Sequence, residues 1–410
     1  MGKFVAVHVL KLYNPGTFNR GENGEAKQII IGGVNRVRLS SQCQKRAIRE
    51  KLACDEIRSA HIEKLVSECL DEYVTNKTIT EEEKDLIGSL ICSKEIIGTK
   101  CWDKLKKDDD TDDSEKQGNV VVTTNSAEIT ALITTFVNYL KENGDKELKK
   151  NFKSVAEKAA LTDVNISVAK AMFGTMATDG ILGTVDGAVE MGQAFSVDEY
   201  MPESDFFTVK FVGRSGADKK DPFFDAYNRF NDVESKKSSG ETINSGLSLY
   251  SNLIYSYANV NLSELERNLN TFVYPRKYVP NESTNDTILD IVPKFVQAMV
   301  EMTPEATQAR SSSHVAPSVV LIEVIDDGAN LQPDWGKVIR NNDTMSITEQ
   351  AITKLGQFAT DKTFRSGKIT QFFMINTEYA DLADKFKGVK QIKSFDELNK
   401  ELKKSIEPLL

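Results

Sequence analysis

The chain has 410 residues, 40% of them hydrophobic and 28% charged. That supply of apolar surface excludes disorder along the whole length and is enough for two or three compact units. No run of about 18 uncharged apolar residues exists to span a bilayer. The 52 basic and 61 acidic residues give a net charge of −9, which taken alone argues against a polyanion as partner.

The start, MGKFVAVHVL, lacks the basic, apolar and small-residue segments of a secretory signal, so a cytoplasmic location is expected. Residues 4–10, rich in β-branched side chains, predict a central strand. A polar loop follows, with Asn14, Pro15, Gly16, Asn19, Arg20, Gly21 and Gly24 as turn formers. Val34 to Leu39 alternates apolar and basic residues like a half-exposed strand. Ser40 or Ser41 can cap a helix starting near Gln42. Gly32 and Gly33, just before, permit close approach of the backbone to a ligand or an ordinary turn.

From 55 to 160 the periodicity turns helical, near 57–74, 80–97, 126–142 and 145–160. A charged loop (103–119) and a turn (141–147) interrupt it, and the span reads as a helical subdomain inserted into a sheet-bearing parent. A strand signal returns at 185–195, with Val185, Gly187, Val189, Met191, Gln193 and Phe195 predicted on one face. Residues 196–245 read as a loop studded with aromatics, from Tyr200 to Phe230, a composition that suits docking better than a passive linker. Strands are predicted at 247–262, 318–325 and 370–376, and helices at 262–270, 286–302, 346–360 and 395–406. The order suggests an α+β fold with helices on one face of a sheet.

The informative chemistry lies in residues 27–51. Seven cations (Lys27, Arg36, Arg38, Lys45, Arg46, Arg49, Lys51) face a single acid, Glu50, for a local net of +6, leaving −15 on the remainder. Gln42, Lys45, Arg46 and Arg49 recur at i, i+3, i+4 and i+7 and share one helical face. Arg36 and Arg38 share a strand face by the period of two. Cations beside a helix start suit phosphate; a solvated charged face paired with acids elsewhere fits the same spacing. Catalytic signatures are missing: no GxxxxGK[ST], GxGxxG after a strand, GxSxG or HExxH occurs. Five cysteines without a CxxC pair and three scattered histidines (His8, His61, His314) give no metal-ligand spacing, so no metal or cofactor is expected. Met176, near glycines, fits core packing or an apolar wedge between bases.

The blocks FVAVHVLKLYNPGTFNR, IGGVNRVRLSSQCQKRAIR, AMFGTMATDG with VDGAVEMGQAF, YSYANVNLSELERNL and TQARSSSHVAPSVVLIEV, in that order, resemble the backbone, guide-RNA-binding subunit of the CRISPR Cascade complex, subtype I-E. The resemblance implies a hand-like α+β fold: an RRM-like (ferredoxin-like) palm, an inserted helical fingers subdomain and a long thumb loop. On this chain the palm falls at 1–54, 166–195 and 246–410, the fingers at 55–165 and the thumb at 196–245. It implies copies stacked head to tail along a CRISPR guide RNA, together with other Cascade subunits and the target DNA. It also implies sequence-independent RNA binding without catalysis and no membrane partner. Residue by residue, it carries over Asn19, Arg20, Lys27, Arg38, Ser40, Gln42, Lys45, Arg46, Arg49, Gln308 and Arg310 as RNA contacts, with Met176 packing on a base. Thr175 departs from the basic residue expected there. A metal-dependent endoribonuclease on the same fold, with Asp179 or Asp186 at the RNA kink, is the alternative. A protein scaffold without nucleic acid is a third.

Overall fold

The computed structural model describes residues 2–21, 25–52, 57–97, 102, 123–124, 126–162, 168–174, 185–208, 244–270, 282–304 and 313–410. The strands, in chain order, are β1 (Gly2–Leu12), β2 (Gln28–Ile31), β3 (Val34–Leu39), β4 (Ile57–Arg58), β5 (Thr123–Thr124), β6 (Val189–Met191), β7 (Ala194–Ser196), β8 (Glu203–Thr208), β9 (Asn244–Leu249), β10 (Leu253–Asn261), β11 (Val319–Gly328), β12 (Lys368–Ile375) and β13 (Lys390–Gln391). The main sheet is open and runs β13-β12-β11-β1-β10-β7-β3-β2, with β6 also paired to β10. β1 lies near its middle, antiparallel to β10 and β11. Both its faces are covered, which is why Val5–Leu10 reads as an almost unbroken apolar run.

One face carries α1 (Ser41–Lys51), α6 (Val168–Phe173), α7 (Leu262–Asn268), α8 (Glu282–Glu301) and α10 (Phe395–Ile406). Ala47, Ile48, Met172, Leu265, Phe295 and Leu402 from these helices pack on Val5, Val7, Val9, Ala258 and Ile322. The opposite face carries α9 (Ile347–Thr360) and a 3-10 segment at Thr377–Phe386, packed on Ala6, Leu10, Tyr255 and Leu321. Helices therefore cover both faces, not one as the element order suggested. That order does not say on which side of the sheet a connection passes. A buried polar cluster lies inside the second layer. Glu323 accepts from Arg365 (2.5 Å) and Gln371 (2.8 Å), with His8 Nε2 at 3.4 Å. Burial alone would raise this carboxyl. The neighbouring His8, Arg365 and Gln371 side chains outweigh it and hold the pKa at about 2.

A separate apolar core belongs to the helices α2 (Ser59–Thr75), α3 (Glu81–Ile91), α4 (Lys94–Ile97) and α5 (Ser126–Thr162), through Ile62, Leu70, Ile87, Ile133 and Phe136. Thr80 and Glu83 form a capping box that starts α3. Within α5, Gly144 adopts φ +79°, which breaks the helix at the turn expected at 141–147. Lys170 of α6 and Glu128 of α5, both buried and 3.1 Å apart, join this helical core to the sheet.

The span 196–245 is not all loop. β8 and β9 pair along six residues, Glu203↔Leu249 to Thr208↔Asn244; residues 209–243 lie outside the described residues. The sequence ESDFFT shows no period-two alternation, so this strand gave no signal. The predicted strand at 247–262 is two strands of different sheets. They part at Tyr250–Asn252, where Asp198 accepts from the Asn252 amide (2.7 Å) and the Leu253 N–H (3.2 Å). Burial of that carboxyl pushes its pKa up to about 6.

Candidate nucleic-acid interface

β3 and α1 form one continuous strand–helix unit. Ser40 is the N-cap of α1, and its hydroxyl accepts from the Cys43 N–H at 3.3 Å. Asn19 reaches the same corner from the loop after β1. Its Oδ1 accepts from the Ser40 N–H at 2.7 Å, and its backbone, at φ +50°, accepts from the Lys27 N–H at 3.1 Å. Lys27 in turn accepts from the Arg38 N–H at 2.8 Å. These three bonds gather Asn19, Lys27, Arg38 and Ser40 at one corner, and Arg20, exposed, adjoins them.

The helix continues the site. Ala47 and Ile48 are buried against α8 and β1, so Gln42 and Arg46 are left exposed and Lys45 and Arg49 half-buried. Arg49 stacks its guanidinium over the Phe173 ring, 4.8 Å from its centre. Burial, and then the positive charge of Arg49, lower the pKa of Lys45. Two crowded cations of this kind gain from an anion between them. Arg46 bonds Glu50 one turn on at 2.9 Å, both half-exposed. A pair of that kind contributes about 0.3–0.5 kcal/mol, little enough for a phosphate to displace it.

Arg36 overturns the expectation that it shares an anion site with Arg38. It is fully buried, and its guanidinium donates to four carbonyls: Trp335 (2.9 Å), Ser196 (3.3 Å), Gly336 (3.3 Å) and Val197 (3.5 Å). The face shared with Arg38 is real, but at Arg36 it is covered by the 335–336 segment. Gly32 and Gly33 are the two-residue turn of the β2–β3 hairpin, at φ +60° and +79°. A Cβ on Gly32 would lie 1.8 Å from the Gly336 carbonyl, so the first glycine also serves this packing. Met176, Gln308, Arg310, Thr175 and Asp179 lie outside the described residues. Asp186 uses its carbonyl to accept from Asn268 at 2.8 Å.

Sequence reasoning missed Gln193 and Gln44. Gln193 accepts from Arg38 Nη1 at 3.1 Å and donates to Ser41 Oγ at 3.4 Å. Gln44 is buried and donates to the Gly192 carbonyl at 3.0 Å. The i, i+3, i+4 spacing placed Gln44 off the basic face, and nothing in the sequence reports its span to residue 192. Among the described residues no group of three or more His, Cys, Asp or Glu could hold a metal ion, and no helix is long and apolar enough to cross a membrane.

The fold is shared with chains of solved CRISPR RNA-guided complexes. A chain of a "CRISPR RNA-guided surveillance complex, pre-nicking" matches with a TM-score of 0.69 at 19% identity, covering 98% of this chain and 99% of that one. A chain of a "CRISPR RNA-guided surveillance complex" matches with a TM-score of 0.64 at 18% identity, with the same coverage. No curated protein sequence matches. The sequence profile of CT1975-like proteins matches residues 5–210 and 217–401. The chain belongs to the CT1975-like protein family.

Proposed function

We propose that this chain is the repeated backbone subunit of a Cascade-type surveillance complex of subtype I-E, binding CRISPR guide RNA without reading its sequence. The observation that carries the reading is the corner itself. Arg38 and the neutral hydrogen-bonding groups of Ser40, Ser41 and Gln42 stand at the start of α1, and Lys45, Arg46 and Arg49 follow along the helix, on a chain of net −9. Cations meet phosphates, and hydroxyls and amides meet ribose hydroxyls; neither discriminates among bases. A guide must accept any spacer, so specificity passes to pairing between guide and target DNA.

In this reading the sheet is an RRM-like palm, α2–α5 belong to the fingers, and residues 196–245 are the thumb. Copies stack head to tail with other subunits of the complex, and the length of the RNA sets their number. Met176, Gln308 and Arg310 serve as further RNA contacts. The chain acts in the cytoplasm and binds without cleaving. Family membership, the likeness to chains of RNA-guided complexes and the cationic corner support the reading of a guide-RNA complex subunit.

The test is the native assembly. Its ratio of absorbance at 260 and 280 nm should exceed that of protein, and the extracted RNA should carry repeat sequence flanking variable spacers. An assembly free of RNA refutes the proposal. Incubation with complementary RNA and Mg²⁺ should leave that RNA uncut; regularly spaced cuts would instead establish an endoribonuclease.

A further inference from the structure

Gln193 sits where the main sheet slips register. β6 pairs with β10 through Val189↔Val260 and Met191↔Ala258. β7 pairs with β10 through Phe195↔Tyr255 and Ser196↔Ile254. The pairing shifts by one residue between these stretches, so Gly192 and Gln193 together stand opposite Tyr257. The Gly192 N–H donates to the Tyr257 carbonyl at 3.0 Å. This is a β-bulge, which bends a strand and re-aims its side chains. Its effect is visible in the cores. Val189 and Met191 pack on the face shared with α1, whereas Phe195 packs on the other. Strict alternation would have kept Gln193 and Phe195 with Val189 and Met191. The bulge instead moves them to the side of Arg38, which pairs with Phe195 in the neighbouring strand.

The bulge is anchored from below. Buried Gln44 donates to the Gly192 carbonyl (3.0 Å) and to the Leu39 carbonyl (3.3 Å). From that anchor a short polar chain rises to the surface: Gly192, then Gln193, then Arg38 Nη1 on one side and Ser41 Oγ on the other. Arginine is long, and unrestrained it must be ordered by its ligand. An amide acceptor orders it beforehand without cancelling its charge, which a carboxylate would do.

We propose that Gln193 is a positioning residue of the nucleic-acid interface, holding the Arg38 guanidinium beside the first turn of α1 so that a phosphate meets an oriented donor. This rests on the reading of that corner as the RNA site. The test is a double-mutant cycle on the assembled complex: Gln193→Met, Arg38→Met and both, with guide-RNA affinity measured across a salt series. Gln193→Met should weaken binding about tenfold with Arg38 present and have almost no effect once Arg38 is methionine. Gln193→Glu should also flatten the log–log salt dependence by about 0.7, since it neutralises one cation. Gln193 is exposed, so thermal stability should not change in either variant. A Gln193→Met effect of equal size without Arg38, or none with it, overturns the inference. A Lys45→Ala, Arg49→Ala variant with unaltered affinity and salt slope would instead sink the reading of the corner, leaving the two failures distinct.

Discussion

Substituting Arg36 by methionine separates two residues that the strand period places together. Methionine keeps the aliphatic length and volume, so the loss is confined to the guanidinium. Four carbonyls lose their donor, at 2.9, 3.3, 3.3 and 3.5 Å, in a site with no exposure to water. A hydrogen bond to a charged group contributes about 1.5–3 kcal/mol net, and only the shortest two or three are near full strength, so a loss of about 3–5 kcal/mol is expected. Chemical denaturation of the purified chain should show this as a lower midpoint. The folded fraction should still bind guide RNA with the parent salt slope, because Arg36 meets no phosphate. Arg38→Met should do the reverse: stability within about 0.5 kcal/mol of the parent, but a slope shallower by about 0.7. If Arg36→Met left the midpoint unchanged and flattened the slope, the assignment of Arg36 to the interior would be wrong.

The remaining predictions concern buried charge. Glu323, held at about 2 in the folded chain, lies below its unfolded value of about 4.3. Its contribution is therefore complete above pH ~5 and fades as pH falls toward 2, by up to about 3 kcal/mol. Denaturation midpoints of Glu323→Gln should fall less between pH 5 and pH 2.5 than those of the parent; parallel curves would refute this. Lys170→Met should cost about 3–5 kcal/mol by removing the cation that faces the buried Glu128 carboxylate. Lys170→Met with Glu128→Leu should recover most of that loss in the same melt, and a double variant as unstable as the single would count against the account.

The long elements were legible because their periodicity is strong. The predicted helices at 395–406 and 346–360 are α10 and, with Ser346 as its cap, α9. Gly144 marks the break in α5 that the turn chemistry announced. The basic face of α1 was legible for the same reason: Ala47 and Ile48 must be buried, and the helical period then fixes where Lys45 and Arg49 go. Arg36 was not, because a strand period says which residues share a face and not what covers it. Gln193 was misplaced because a bulge inserts one residue and inverts the alternation beyond it. The hairpin of β8 and β9 was hidden by a sequence without alternation. β9 and β10 merged into one predicted strand because Tyr250–Asn252 carries no glycine or proline to mark the corner that Asp198 holds.

The central claim is that the exposed and half-buried cations of α1 grip the RNA phosphates. It is tested most directly by the salt dependence of guide-RNA binding by the Lys45→Ala, Arg49→Ala variant beside the parent. Two lost phosphate contacts should lower the log–log slope by about 1.4, roughly 0.7 each, together with a marked loss of affinity at low salt. A slope equal to the parent's would show that this face meets solvent and not RNA.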